Sequence, residues 1–209
     1  MAKRKTKNIS NPSITREITF DTEFAQRVYR RIFVACSRAL FVVDVVLRVI
    51  GTDEEFDQVD KLVIDKLQGA HDDLAAEIER LEEMAEARSV SQAPSYSFPK
   101  TVRIEITSPR ANQFLGLIVQ YDRFVSLLDT LWLNGVLDGK QRTEGSYAWQ
   151  NHLIVVGRSL MSIKGRAMEA ASRRGKSEEV EKAIDEIDQA VDDSVDQSDS
   201  DSATDTVSS

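Results

Sequence analysis

Lys100-Thr101-Val102-Arg103-Ile104-Glu105-Ile106-Thr107-Ser108-Pro109 decides how this chain is read. Val102, Ile104 and Ile106 alternate with Thr101, Arg103, Glu105 and Thr107, the period of a strand with one apolar and one polar face. Ser108 suits a helix N-cap, and Pro109 suits the first helical position, where a missing N–H costs nothing. Helical spacing then runs to Asn134, where Gly135 ends it. After Gly139-Lys140-Gln141-Arg142-Thr143 another helix is expected, through Trp149, Leu153, Val156 and Leu160 to about Arg174, closed by Gly175.

The same order stands upstream. Ser13-Ile14-Thr15-Arg16-Glu17-Ile18-Thr19-Phe20 is β-branched and alternating and reads as a strand. Asp21 or Thr22 can cap a helix that reaches about Ile50 and stops at Gly51. Thr52 or Asp53 restarts it. Phe56, Val59, Val63, Leu67, Leu74, Ile78 and Leu81 then recur at helical spacing to about Arg88, interrupted by Gly69-Ala70. Its later half, Asp72 to Glu86, is densely acidic outside the stripe and needs a partner groove. Residues 89–99, rich in Ser and Pro, form a linker.

The expected fold is mainly α with a small two-stranded β ribbon: ribbon-helix-helix-like, built from duplicated strand-helix-helix units at 13–88 and 100–174. Arg16-Glu17-Ile18-Thr19 lies over Ile104-Glu105-Ile106-Thr107 at an offset of 88 residues, which Arg16 and Ile104 define. Whether the ribbon closes within one chain or across a homodimer stays open.

Charge is divided along the chain. From Ser177 to Ser209 there are 12 acidic residues and one basic residue, Lys182, a net of −11; residues 1–176 carry 26 basic and 23 acidic residues, a net of +3. Residues 1–12 read as a flexible basic arm, 13–176 as the body, and 177–209 as an acidic tail: a short helix capped by Ser177, then disordered from about Asp192. A tethered polyanion would compete with phosphate for a basic surface. The most apolar stretch, Ile32 to Ile50, is broken by Arg38, Asp44 and Arg48, so it reads as a core helix and not a membrane span. No apolar segment follows the basic N-terminus directly, and the lone Cys36 suits a reducing compartment. A soluble, cytoplasmic protein is expected.

Catalytic patterns are missing from the sequence. His71 and His152 lie in different halves, without carboxylates or cysteines at metal-ligand spacing. There is no Gly-rich phosphate loop after a strand and no nucleophile elbow. The expectation is no enzyme, no cofactor, no metal, no small-molecule substrate and no membrane partner.

Paired strands on helices offer a different use. One face of the ribbon packs on the helices; the other can enter the major groove of DNA. The outward residues are Thr15, Glu17 and Thr19 on the first strand and Thr101, Arg103, Glu105 and Thr107 on the second. Arg can pair with guanine, Glu can accept from cytosine, and Thr can bond bases or touch a thymine methyl. Lys3, Arg4, Lys5 and Lys7 add a phosphate-seeking arm. Lys140 and Arg142 stand at a helix start, where free N–H groups attract phosphate.

Ile104-Glu105-Ile106-Thr107-Ser108-Pro109-Arg110-Ala111, with Leu117-Ile118-Val119-Gln120-Tyr121-Asp122 and Leu131-Trp132-Leu133-Asn134-Gly135, resembles the AcaB-type regulators of conjugative plasmids and integrative conjugative elements. The resemblance spans roughly 13–174. It implies a transcriptional activator of conjugative transfer genes with a ribbon-helix-helix unit that binds double-stranded promoter DNA; a homodimer is expected beside it. The competing expectation is a helical scaffold or adaptor of a mobile element that binds no DNA.

Overall fold

The computed structural model describes residues 13–90 and 92–185. The elements are β1 (Ile14–Phe20), α1 (Glu23–Val28), a π-helical turn (Tyr29–Phe33), α2 (Val34–Ile50), α3 (Asp53–Ala87), β2 (Lys100–Ile106), α4 (Pro109–Leu133) and α5 (Gly139–Arg173). Residues 177–185 are also helical. The expected basic arm at 1–12 and the expected disorder beyond Asp192 lie outside the described residues. No described helix is long and apolar enough to cross a membrane.

β1 and β2 pair antiparallel, Ile14 opposite Ile106, Glu17 opposite Arg103 and Phe20 opposite Lys100. The ribbon therefore closes within one chain. The strands coincide at an offset of 86 residues, carrying Ile14 onto Lys100, and not at 88. A shift of two leaves each side chain on its expected face, because side chains alternate with period two. Phe20, Ile104 and Ile106 are buried beneath the ribbon.

The helices interlock across the two halves. α2 packs along α5, and α3 packs along α4, so each half's first long helix lies against the other half's second. α3 thereby finds its groove: Val63, Leu67, Ala70, Leu74, Ile78 and Leu81 are all buried. Ala70 fills the step between Leu67 and Leu74, so the expected interruption at Gly69-Ala70 does not occur. Behind α5, Val180 of the 177–185 helix is fully buried in a small cluster with Val42, Val46 and Ala171.

Local details depart from expectation for identifiable reasons. The helix expected from Asp21 to Ile50 runs from Glu23 to Ile50 with the π turn within it, where Tyr29–Phe33 and Phe33–Phe114 stack at 5.2 and 6.3 Å between ring centroids and Phe20 meets Tyr29 tilted at 5.3 Å. Gly51 ends α2 in an extended conformation (φ −74°). It is glycine because a Cβ there would lie 2.5 Å from the Leu47 carbonyl oxygen. Gly135 and Gly175 are left-handed closers, at φ +70° and +67°. α5 begins at Gly139, earlier than expected, because Asp138 and Gln141 form a reciprocal capping box.

Candidate functional site

The pairing register puts Thr15 opposite Glu105, Glu17 opposite Arg103 and Thr19 opposite Thr101. All six side chains are exposed and share the ribbon's outer face, as period-two alternation requires. The Thr19 and Thr101 hydroxyls are hydrogen-bonded at 2.8 Å, which fixes one end of this face. Thr107 is exposed just beyond the end of β2.

The ribbon is held by two reciprocal clamps that sequence reading missed. Asp122, in mid-α4, accepts hydrogen bonds from Asp21 N (2.9 Å), Thr22 N (2.9 Å) and Thr22 Oγ1 (2.6 Å) at the start of α1. Asp44, in α2, accepts one from Ser108 Oγ (3.3 Å) at the start of α4. Each half thus supplies a carboxylate, Asp122 buried and Asp44 partly buried, to the strand-to-helix corner of the other. Ser108 occupies the N-cap as expected but makes no capping bond to its own helix, since its hydroxyl is turned to Asp44. Burial pushes both carboxyls above their usual range, against the opposing pull of these hydrogen bonds and, for Asp44, of Arg110. Arg110 is itself buried between Asp44 and Asp60, its Nε 2.6 Å from Asp60 Oδ1. The visible signals were charges inside apolar stretches at Asp44 and Asp122; Arg110, among Thr107-Ser108-Pro109 and Ala111-Asn112-Gln113, carried none.

Lys140 and Arg142 stand elsewhere. Arg142 pairs with buried Asp129 and lies over the Trp132 ring, 4.7 Å from its centroid. Asp129 is about two helical turns, roughly 10 Å, along α4 from Asp122. Lys140 is exposed and 3.8 Å from Glu144. The structure therefore does not bring these two residues to the ribbon face, and it gives Arg142 a packing role. Lys3, Arg4, Lys5 and Lys7 lie outside the described residues. Arg38 and Arg48, absent from the sequence-based candidates, line a groove of about 500 Å³ together with Arg103. Their sequence signal was again charge within the apolar run of α2.

His152 packs edge-on against Trp149. Cys36 is fully buried, and burial pushes its thiol up to about 12. Among the described residues no group of three His, Cys, Asp or Glu side chains could hold a metal ion.

Among solved structures, the chain is similar to AcaB from uropathogenic E. coli, crystallised with selenomethionine, at 37% identity and a TM-score of 0.80. The likeness covers 82% of this chain and 89% of that one. No family model matches the chain, and the search of curated proteins finds no match.

Proposed function

The chain belongs to the AcaB family, and from that premise we propose that it is a DNA-binding transcriptional regulator, an activator of conjugative transfer genes, that inserts its ribbon into the major groove. The observation that carries this reading is the exposed ribbon face, where Glu17 and Arg103, Thr19 and Thr101, and Thr15 and Glu105 stand as adjacent polar pairs, with Phe20, Ile104 and Ile106 buried on the opposite face. A two-stranded ribbon has the right width for the major groove, and these side chains can address base edges there. The ribbon face itself is not basic. Phosphate attraction in this reading falls to Lys3, Arg4, Lys5 and Lys7, upstream of β1 in the sequence, and to Arg38 and Arg48 of the groove beside β2.

No enzymatic role is proposed: Asp122 and Asp44 tie the starts of α1 and α4 to neighbouring helices, and Thr130 and Ser146 bond within their own helices. We read 13–88 and 100–174 as duplicated units, each giving one strand to the ribbon. A homodimer is then not needed to complete the ribbon; it would place two complete ribbons on one duplex and set the spacing of half-sites. The test is binding of the full chain to duplex DNA from upstream of its neighbouring transfer genes, across a salt series. The expected result is affinity falling linearly with salt on logarithmic axes, with tighter binding to this duplex than to random duplex at every salt concentration. No binding to either duplex at low salt would favour the scaffold reading.

A further inference from the structure

A groove runs between the free flank of β2 and α2. Phe33, Val34, Phe41 and Val45 supply its apolar lining, and Arg38, Arg48 and Arg103 its positive charge. Val34 is 64% exposed, unusually open for an aliphatic residue on a helix that is otherwise largely core. Of the groove's two carboxylates, Asp44 already accepts from Ser108 and pairs with Arg110. The other is Glu105, so the lining sets three cations against two carboxylates and the apolar channel keeps a net positive rim.

The last described residues pack on a cluster that shares Phe41 with this groove. Phe41 lines the groove and also packs against the small cluster that buries Val180, and Ile184 packs against that same cluster. One residue after Ile184 the described chain ends, and Glu186-Ile187-Asp188-Gln189-Ala190-Val191-Asp192-Asp193 follows. This segment pairs apolar residues at helical spacing, Ile187 and Val191, with four carboxylates and no cation. Eight residues reach up to roughly 25 Å when extended and roughly 12 Å as helix. The seven helical steps from Phe41 back to Val34 span only about 10 Å.

We infer that residues 186–193 of the same chain dock in the groove between α2 and β2, with Ile187 and Val191 on its apolar lining and the carboxylates toward Arg38, Arg48 and Arg103. Position, charge and pattern all agree on this occupant. The docking does not depend on DNA binding, but its consequence rests on the function proposed above. Arg103 belongs both to the groove and to the ribbon face, so a docked segment shields it, and the protein exchanges its own carboxylates for phosphates when it engages DNA.

The test reads docking without DNA. A nitroxide is attached at Ser194→Cys in the full chain, where Cys36 is too buried to react, and the loss of amide NMR intensity is mapped. The expected loss is concentrated at Ser37, Phe41, Val45 and Arg103, spares Val155 on α5, and is relieved by high salt and by Arg48→Glu. Uniform weak loss, or loss centred elsewhere, would overturn the proposal. So would loss seen only when nitroxide-bearing chains are mixed with separately isotope-labelled ones, since the occupant would then be a second copy. Substituting Ile187→Ser and Val191→Ser should also tighten low-salt binding to random duplex. Docking seen by NMR without that tightening would uphold the docking and count against the DNA reading alone.

Discussion

Arg103 stands opposite Glu17 at the middle of the ribbon, exposed and alternating away from the buried Ile104. Its removal should therefore not disturb folding. Arg103→Ala is expected to cost about 1–3 kcal/mol of sequence-specific binding, measured as the difference between cognate and random duplex at matched salt. Asp122 is the contrasting residue, since its value lies in the fold. Asp122→Asn loses acceptor capacity facing three donors, two of them backbone N–H groups. It should destabilise the protein by about 1–3 kcal/mol, the cost of leaving a buried polar group unsatisfied, as read by urea unfolding. A value near zero would mean that the clamp does not hold the strand-to-helix corner. Arg103 was legible from alternation alone, because strand faces follow from a period of two. The partners of Asp122 were not, because they lie 100 and 101 residues away and only the interlocked fold brings them near.

At the scale of elements, glycines separate two kinds of constraint. A Cβ on Gly157 of α5 would stand 2.5 Å from Ile32 Cγ1 and 3.2 Å from Phe114 Cζ, where the π turn crosses α5. Gly157→Ala is expected to destabilise by about 1–3 kcal/mol through overpacking. Gly135 has open space around it and needs only its left-handed backbone, so Gly135→Ala should cost about 1–2 kcal/mol. In an Ile32→Ala background, itself destabilised by the lost core side chain, the cost of Gly157→Ala should shrink and that of Gly135→Ala should not, a contrast read by thermal unfolding of the single and double variants. The start of α3 offers a pH test. Arg174, after the end of α5, donates to Glu55 (Nη1–Oε2 3.1 Å), and together with the Thr52 amide it holds the Glu55 carboxyl at about 2. A lowered folded value stabilises above the ordinary glutamate range, near 4.3, and that contribution is lost as pH falls from there toward 2. NMR titration of the Glu55 carboxyl should show the low value in the native chain and a return toward about 4.3 in Arg174→Ala. Helix stops were readable in sequence wherever a left-handed glycine closes them. The π turn was not, and Phe114 and Gly157, which pack against it, belong to the other half.

At the scale of the whole molecule, an interlocked pair of strand-helix-helix units makes one ribbon from one chain. The strands and the long helices were visible in hydrophobic period. Closure within the chain was not, since a homodimer would show the same alternation and the same caps. The placement of Lys140 and Arg142 also escaped sequence reading. A helix start looks alike whether it lies beside the ribbon or two turns beyond it, and what keeps Arg142 away is buried Asp129 together with the Trp132 ring. These features concentrate the proposed recognition on the ribbon alone. The most direct measurement is fluorescence anisotropy of labelled duplexes, one from upstream of the transfer genes and one random, with the unaltered chain and Arg103→Ala at one moderate salt concentration. The expected result is that the unaltered chain prefers the upstream duplex and that Arg103→Ala loses about 10-fold or more on that duplex while binding random duplex nearly as before. Equal affinity of the unaltered chain for both duplexes, unchanged by Arg103→Ala, would contradict recognition through the ribbon.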